Sequence, residues 1–219
     1  MLPIGVVRGV FRKLLLALGI VAAIGVAYAL WPRQAHLRNF DPATVACLET
    51  NLWRDYYEKK YIAIFASLYS LGRDQYGFSP GDSARLAWYA ARAAKVFQPT
   101  VSREDAQRAL PILELYYAVV RRSGGEHFDV QAAARRELEW WQLRRENATP
   151  AAYGQAIAEV TAVLFGVTNA EVNQSALLRA DAMAYRDVRG KKGMETQDWT
   201  RIEEVLARSY ELLKTGFNP

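Results

Sequence analysis

The chain has 219 residues, is 51% hydrophobic and 12% aromatic, and carries a formal net charge of +5. This composition excludes a disordered or low-complexity protein, because such chains lack the apolar side chains needed to bury a core. Three of the positive charges lie at Arg8, Arg12 and Lys13, so +5 less these three leaves +2 for the remainder, and we expect no nucleic-acid partner. Cys47 is the only cysteine, which excludes an intrachain disulfide and a cysteine-based metal site.

An uncharged run over residues 14–31 follows a basic N-terminal flank, 1–13. In a helix this run would be roughly 27 Å long, close to the ~30 Å hydrocarbon core of a bilayer. The run therefore predicts one transmembrane anchor that contacts the lipid bilayer, with an aromatic residue at the outer interface. The residues expected to form this membrane anchor are Leu14, Leu18, Ile20, Val21, Ile24, Val26 and Trp31.

The basic residues on either side of the run favour one orientation. More Lys and Arg precede the run than follow it, and Arg33 and Arg38 are soon offset by acidic residues. By the positive-inside rule, we expect a cytoplasmic N-terminus and an extracytoplasmic C-terminal domain. The alternative is a signal peptide, because Ala27-Tyr28-Ala29 matches a small-residue cleavage site and cleavage would release a secreted domain.

Small residues recur along the anchor at four-residue steps, at Gly19, Ala23 and Ala27, and Gly5 and Gly9 form a G-x-x-x-G pattern before it. Such a face would let a second helix approach closely, so one interpretation is a homo-oligomer formed through the anchor. The alternative interpretation is that Ala and Gly are simply common in membrane-spanning helices.

After a linker over residues 32–40, helix start and stop signals predict a helical domain over residues 41–219. The predicted helices begin at Asp41-Pro42, Ser79-Pro80, Ser102, Asp129, Thr149-Pro150, Thr168 (with Glu171 as a capping box) and Thr196, and end near Leu71, Phe97, Gly124, Glu146, Phe165, Gly190 and Gly216. Pro111 lies inside the third helix and predicts a kink near Gln107. No stretch after the anchor shows the sustained alternation of a strand. The sequence therefore predicts an all-α fold, with an N-terminal transmembrane helix followed by an antiparallel bundle of about seven helices.

One helix end resembles a tetratricopeptide repeat. The Ala-rich helix ends at 90–97 and is followed by Gln98-Pro99, but no 34-residue period continues along the chain. The resemblance implies a helical-repeat adaptor as one alternative, in which helix pairs would stack as a solenoid.

Aromatic doublets are the most unusual local pattern, at Tyr56-Tyr57, Tyr116-Tyr117 and Trp140-Trp141. Neighbouring residues on a helix point about 100° apart, so one member of a pair can face the core while the other lies at its edge. The apolar stripe of the fourth helix predicts Trp141 in the core and Trp140 on the edge face.

An Arg beside an aromatic ring is typical of interface hot spots, so we expect such edge faces to bind a protein partner. The candidate partner-binding residues are Trp140, Glu137, Arg144, Trp53, Arg54 and Tyr116. The alternative is that wide apolar stripes contact two neighbouring helices at once.

No motif assigns catalysis, a cofactor or a metal ion. The chain lacks a nucleophile elbow and a phosphate-binding loop, and neither His36 nor His127 stands in a Glu-x-x-His pattern. We therefore expect no catalytic residue, no cofactor and no metal site.

The leading hypothesis is a single-pass membrane-anchored helical protein that acts as a protein-interaction, accessory or scaffolding subunit of a membrane-associated assembly. The alternative from another class is a membrane-tethered enzyme or small-ligand binder, with a pocket between helices lined by Tyr, Trp and a carboxylate.

Overall fold

In the computed structural model, the backbone is described for residues 4–218 and side chains for residues 12–218. The described residues form helices joined by short turns, with no β-strand among them, and this confirms the all-α prediction. Of the basic flank, only Arg12 and Lys13 have described side chains. The G-x-x-x-G pattern at Gly5 and Gly9 lies outside the described side chains.

Ten α-helices follow one another along the described chain. They are α1 (Ile4–Leu30), α2 (Pro42–Tyr57), α3 (Tyr61–Ser70), α4 (Pro80–Phe97), α5 (Arg103–Ala106), α6 (Leu110–Gly124), α7 (Val130–Arg145), α8 (Pro150–Phe165), α9 (Ala170–Gly190) and α10 (Thr196–Gly216). A π-helical segment, Leu71–Gln75, follows α3, and a 3-10 turn, Gln107–Ala109, joins α5 to α6. The part of the chain after α1 that the structure describes thus has nine helices, where the sequence predicts about seven.

Five helices begin at the caps that the sequence predicts. Side-chain oxygens of Asp41, Ser79, Ser102, Asp129 and Thr149 each accept a backbone N–H of the first helical turn, at distances between 2.7 and 3.3 Å. These bonds satisfy N–H groups that the helix itself leaves unpaired.

The predicted caps of α9 and α10 are each wrong by one residue. Asn169, not Thr168, caps α9 by accepting the Val172 N–H at 2.9 Å. Glu195, not Thr196, precedes α10 and forms a capping box with Asp198. In both cases two adjacent residues can supply a cap oxygen, so spacing alone does not decide which of them adopts the extended backbone of a cap.

The first predicted helix is wrong in length, because it breaks into α2 and α3. Lys59 adopts a left-handed backbone with φ of 59°, between the end of α2 and the start of α3. The four-residue spacing of apolar residues continues from Tyr57 to Tyr61 across this break, so the periodicity of the sequence does not indicate the break.

The third predicted helix breaks as predicted. The 3-10 turn begins at Gln107, and Pro111 lies in the first turn of α6.

The helices of the domain form a closed set of neighbours. Contacts join α2 to α3, α3 to α4, α4 to α6, and then each helix to the next through α10, which packs against α2. We call this arrangement the helix cycle. It differs from an open solenoid, in which each repeat contacts only its sequence neighbours.

Helix α1 meets the domain only at its end. From Leu14 onward, its large apolar side chains, together with Trp31, are 54–68% exposed, and it packs mainly against α4. The Ala29 carbonyl lies so close to Gly81, at the start of α4, that a Cβ atom there would be 2.8 Å from the oxygen. The Tyr28 hydroxyl accepts a hydrogen bond from Arg73 at 3.4 Å.

The segment predicted as a linker is packed against the domain. Ala35, Leu37 and Phe40 are buried, and the Ala35 N–H donates to the Ser123 carbonyl at 2.6 Å. The His36 N–H donates to the carbonyl of Tyr76 at 2.8 Å. These contacts fix how the end of α1 joins the helix cycle.

Candidate functional site

A buried carboxylate joins three helices inside the helix cycle. Glu49, on α2, is only 5% exposed. One of its oxygens accepts from Nε and Nη2 of Arg179 on α9, at 3.0 and 2.5 Å, and the other accepts from the Tyr210 hydroxyl on α10, at 2.5 Å. Because both oxygens are paired, the cost of burying the charge is offset.

A second carboxylate extends this network toward α6 and α7. Glu137 accepts the Tyr117 hydroxyl at 2.9 Å and the Trp141 indole N–H at 3.0 Å. The Arg179 guanidinium, which pairs with Glu49, lies 5.6 Å from the centre of the Trp140 ring, and the charge of Glu137 also contributes to raising its pKa. We call these residues, together with Glu49, Tyr210, Tyr76 and Tyr116, the interior network.

Burial controls the ionisation of the interior network. It raises the pKa of Tyr116 to about 12, with a further contribution from Glu137, and raises the pKa of Tyr76, Tyr117 and Tyr210. Burial lowers the pKa of Arg179, but the charge and hydrogen bond of Glu49, together with Tyr210 and Glu137, outweigh it, so the pKa is raised. At neutral pH, the network therefore holds neutral tyrosines around a charged arginine.

The structure brings some of the predicted partner-binding residues together, but inside the helix cycle. Glu137, Trp140 and Tyr116 belong to the interior network, and Trp53, four residues beyond Glu49 on α2, is half-buried against the core. Trp140 is 9% exposed whereas Trp141 is half-buried, so the prediction that Trp141 takes the core position of this doublet is wrong. Trp140 belongs to the main hydrophobic core, and the Arg179 guanidinium lies 5.6 Å from the centre of its ring.

The two predicted arginines lie elsewhere, and each is held by the fold. Arg144 donates to both oxygens of Asp187 at 3.0 and 2.9 Å and to the Tyr57 hydroxyl at 3.2 Å. Arg54 stacks over the Trp199 ring at 5.4 Å. None of the six predicted residues is classed as exposed, and their role in partner binding stays a prediction.

Sequence reasoning missed Glu49, Arg179 and Tyr210. Glu49 and Arg179 are separated by 130 residues, so no local pattern links them. One signal was present, because Glu49 lies on the same face of α2 as the buried Val45 and Ala46. A carboxylate on an apolar helix face needs a buried partner.

An apolar surface lies on the outside of the domain. Helix α3 and the two residues after it carry no charge, and Ile64 is the only residue of α3 that is fully buried. Tyr61 is 73% exposed and Ile62 is 89% exposed. With the less exposed Phe65 and the neighbouring Tyr56 of α2, they form what we call the α3 patch.

A groove of about 1140 Å³ lies between α4, α6 and the start of α7. Its basic side chains are Arg85, Arg121, Arg122 and His127. Its apolar side chains include Tyr89, Leu115, Val119 and Phe128. Behind the groove, buried Asp82 accepts from Arg85 at 2.8 Å, Arg122 at 2.6 Å and Ser123 at 2.9 Å.

Within the described side chains, no three His, Cys, Asp or Glu residues cluster in a way that could hold a metal ion. Comparison with protein-family models, curated proteins and solved structures finds no match to this chain. The function must therefore be argued from the surfaces and sites described above.

Proposed function

We propose that this protein is a single-pass membrane-anchored subunit that docks another protein through the α3 patch, as an accessory or scaffolding component of a membrane-associated assembly. In this proposal α1 spans the bilayer, the N-terminus is cytoplasmic, and the helix cycle is an antiparallel bundle outside the cytoplasm.

The exposure of α1 supports the anchor. Its 27 residues give a length of about 40 Å, enough to cross a bilayer. A nineteen-residue window, Arg12–Leu30, has a mean hydropathy of 2.2, and none of it is buried. So much exposed apolar surface is not stable in water, and lipid would cover it.

The junction supports a retained helix over a cleaved signal peptide. Tyr28 and Ala29 belong to the candidate cleavage site, yet they are helical and contact Arg73 and Gly81 of the domain. Cleavage after Ala29 would remove both contacts. A retained anchor keeps them and leaves the helical domain next to the membrane surface.

The α3 patch is the observation that carries the docking proposal. Large aromatic and aliphatic side chains exposed together are typical of protein interfaces, where aromatic residues are enriched. The interior offers less support for an enzyme or small-ligand binder, since its buried carboxylate, Glu49, has both oxygens paired within the fold. The groove between α4 and α6 is not an enclosed pocket between helices, because it opens to the outside of the domain.

Pairing of two anchors through small residues also belongs to the proposal. Apart from its chain neighbours and the backbone of its own helix, a Cβ atom at Gly19 would meet no atom within 4 Å. The space beside this residue is therefore open to a second helix.

Site-specific cross-linking in intact membranes tests the docking proposal. A photo-reactive side chain at Ile62 should give one discrete protein adduct, and the change of Tyr61 to Glu should abolish it. Val101 is the matched control, because it is equally exposed at 89% but stands outside the α3 patch. Adducts that are absent at Ile62, or that form equally at Val101, would contradict docking through this patch.

A further inference from the structure

We propose that the groove between α4 and α6 binds the phosphate headgroup of an anionic phospholipid of the same bilayer that holds α1. This inference rests on the proposed membrane anchor. It adds a lipid-binding site to a surface that the docking proposal does not use.

The groove lies beside the point where α1 leaves the domain. Gly81 contacts Ala29, and Asp82 follows directly. Asp82 pairs with both Arg85 and Arg122 of the groove, and its third donor, Ser123, also binds the Ala35 N–H through its carbonyl. Arg85 therefore lies one helical turn from Gly81, which contacts the end of the anchor, and Arg121 and Arg122 immediately precede Ser123, which contacts the segment that follows the anchor.

The groove carries surplus positive charge. Arg85 and Arg122 share the single carboxylate of Asp82, which can neutralise only one of them. Arg121 is exposed and forms no ion pair with the described side chains. Asp129, the remaining acid of the lining, caps α7 by accepting two backbone N–H groups at 2.8 and 3.1 Å, and its charge also interacts with that of Arg121. Three arginines against two carboxylates therefore leave a surplus of one positive charge in the groove. Guanidinium groups in this arrangement favour a phosphate, which they bind with paired hydrogen bonds.

The apolar side of the groove favours a lipid over free phosphate. Leu115 is 47% exposed, and it lines the same groove as the buried Val119 and Phe128. An amphiphile can place its phosphate at the arginines and its glycerol and upper acyl carbons against these side chains. Inorganic phosphate would leave this apolar surface in water.

Cross-linking in nanodiscs tests the inference. The full-length protein is inserted into nanodiscs of equal parts phosphatidylcholine and phosphatidylglycerol, with a photo-reactive side chain at Leu115. We expect adducts of phosphatidylglycerol in clear excess over phosphatidylcholine. The matched position is Val101, where no lipid adduct should form, because it follows Phe97 at the far end of α4, about 24 Å along the helix from Gly81.

Two arginine variants separate a bound headgroup from general attraction to the membrane. Arg121→Gln should lower the ratio of the two lipid adducts about fivefold, the effect of one arginine near an anionic surface, and it leaves the Asp82 pairs intact. Arg92→Gln is the control, because Arg92 is exposed on α4 about 16 Å from Gly81 and should leave the ratio unchanged.

The outcomes distinguish the inference from the anchor on which it rests. Failure of the protein to enter nanodiscs would overturn the anchor. Entry with equal adducts of the two lipids, or equal effects of the two arginine variants, would overturn the headgroup site alone. Loss of the phosphatidylglycerol adduct on adding inorganic phosphate at constant ionic strength would assign the groove to free phosphate and overturn the lipid proposal.

Discussion

The interior network and the α3 patch use the same kinds of side chain for different purposes. Inside the helix cycle, Glu49 pairs with Arg179 and Tyr210, Trp140 lies beside Arg179, and most polar groups of the network find partners. On the α3 patch, tyrosines stand beside Ile62 and Phe65 with no charge on the helix at all. Aromatic residues near arginines therefore do not by themselves mark an interface in this protein. The interior residues hold helices together, whereas the residues of the α3 patch are exposed, and we propose that a partner covers them.

The largest expected effect is at the buried ion pair. Glu49→Gln leaves the Arg179 charge without its carboxylate, and we expect a loss of about 3 kcal/mol in the free energy of unfolding. Chemical denaturation of the full-length protein in detergent measures it. Glu139→Gln is the control, because Glu139 pairs with the half-exposed Arg103 at the surface and should cost less than about 1 kcal/mol. Equal losses would show that Glu49 does not hold the helix cycle together.

Alkaline titration is expected to give the next largest effect. The pKa of Tyr116 is raised to about 12, and those of Tyr76, Tyr117 and Tyr210 are also raised. A raised pKa stabilises the fold below the ordinary value near 10, and this stability is lost as pH rises through the folded-state pKa. We expect a loss of the order of 2 kcal/mol from Tyr116 between about pH 10 and 12. Tyrosinate absorbance should therefore show interior tyrosines ionising together with unfolding; ionisation of all tyrosines before the helical signal changes would contradict a closed interior.

A smaller effect on the pH dependence of stability is expected at Asp198, where α9 meets α10. Hydrogen bonds from Arg189, at 2.9 and 3.0 Å, and from Tyr185, at 2.6 Å, lower the pKa of Asp198. A lowered pKa stabilises the fold above the ordinary value near 4, and this stability is lost as pH falls through the folded-state pKa. In acid denaturation, the free energy of unfolding should fall less steeply with decreasing pH for Asp198→Asn than for the unchanged chain. Parallel curves would show that this carboxylate is not held by its partners.

The smallest effect on stability is expected on the α3 patch. Ile62→Asp should change the free energy of unfolding by no more than about 0.5 kcal/mol, because the side chain is 89% exposed. The same change should remove partner docking, which cross-linking in intact membranes measures. A large loss of stability would place Ile62 in the core and break the contrast with Glu49.

The fold was predictable where its signals are local. Cap residues such as Asp41 and Asp129 act on N–H groups within three residues, and the strain at Pro111 acts within one turn, so both are readable from spacing. The break at Lys59 was not predictable, because the apolar spacing continues across it. It depends on how α3 packs between α2 and α4.

The candidate sites were less predictable, because they depend on tertiary contacts. The sequence identified Trp140 and Glu137 as notable, but only the position of Arg179 shows that they face inward. The α3 patch falls inside the first predicted helix, which runs unbroken from Asp41-Pro42 to about Leu71 and includes Tyr61 and Ile62. Exposure of such residues is a property of the whole fold, which periodicity does not report.

The central claim is that α1 remains in the bilayer and holds the helical domain against it. Intact-mass measurement of the protein recovered from carbonate-washed membranes tests this claim most directly. We predict that the protein stays in the membrane pellet with its α1 residues attached. Recovery in the wash, as a chain that begins at Leu30, would contradict it.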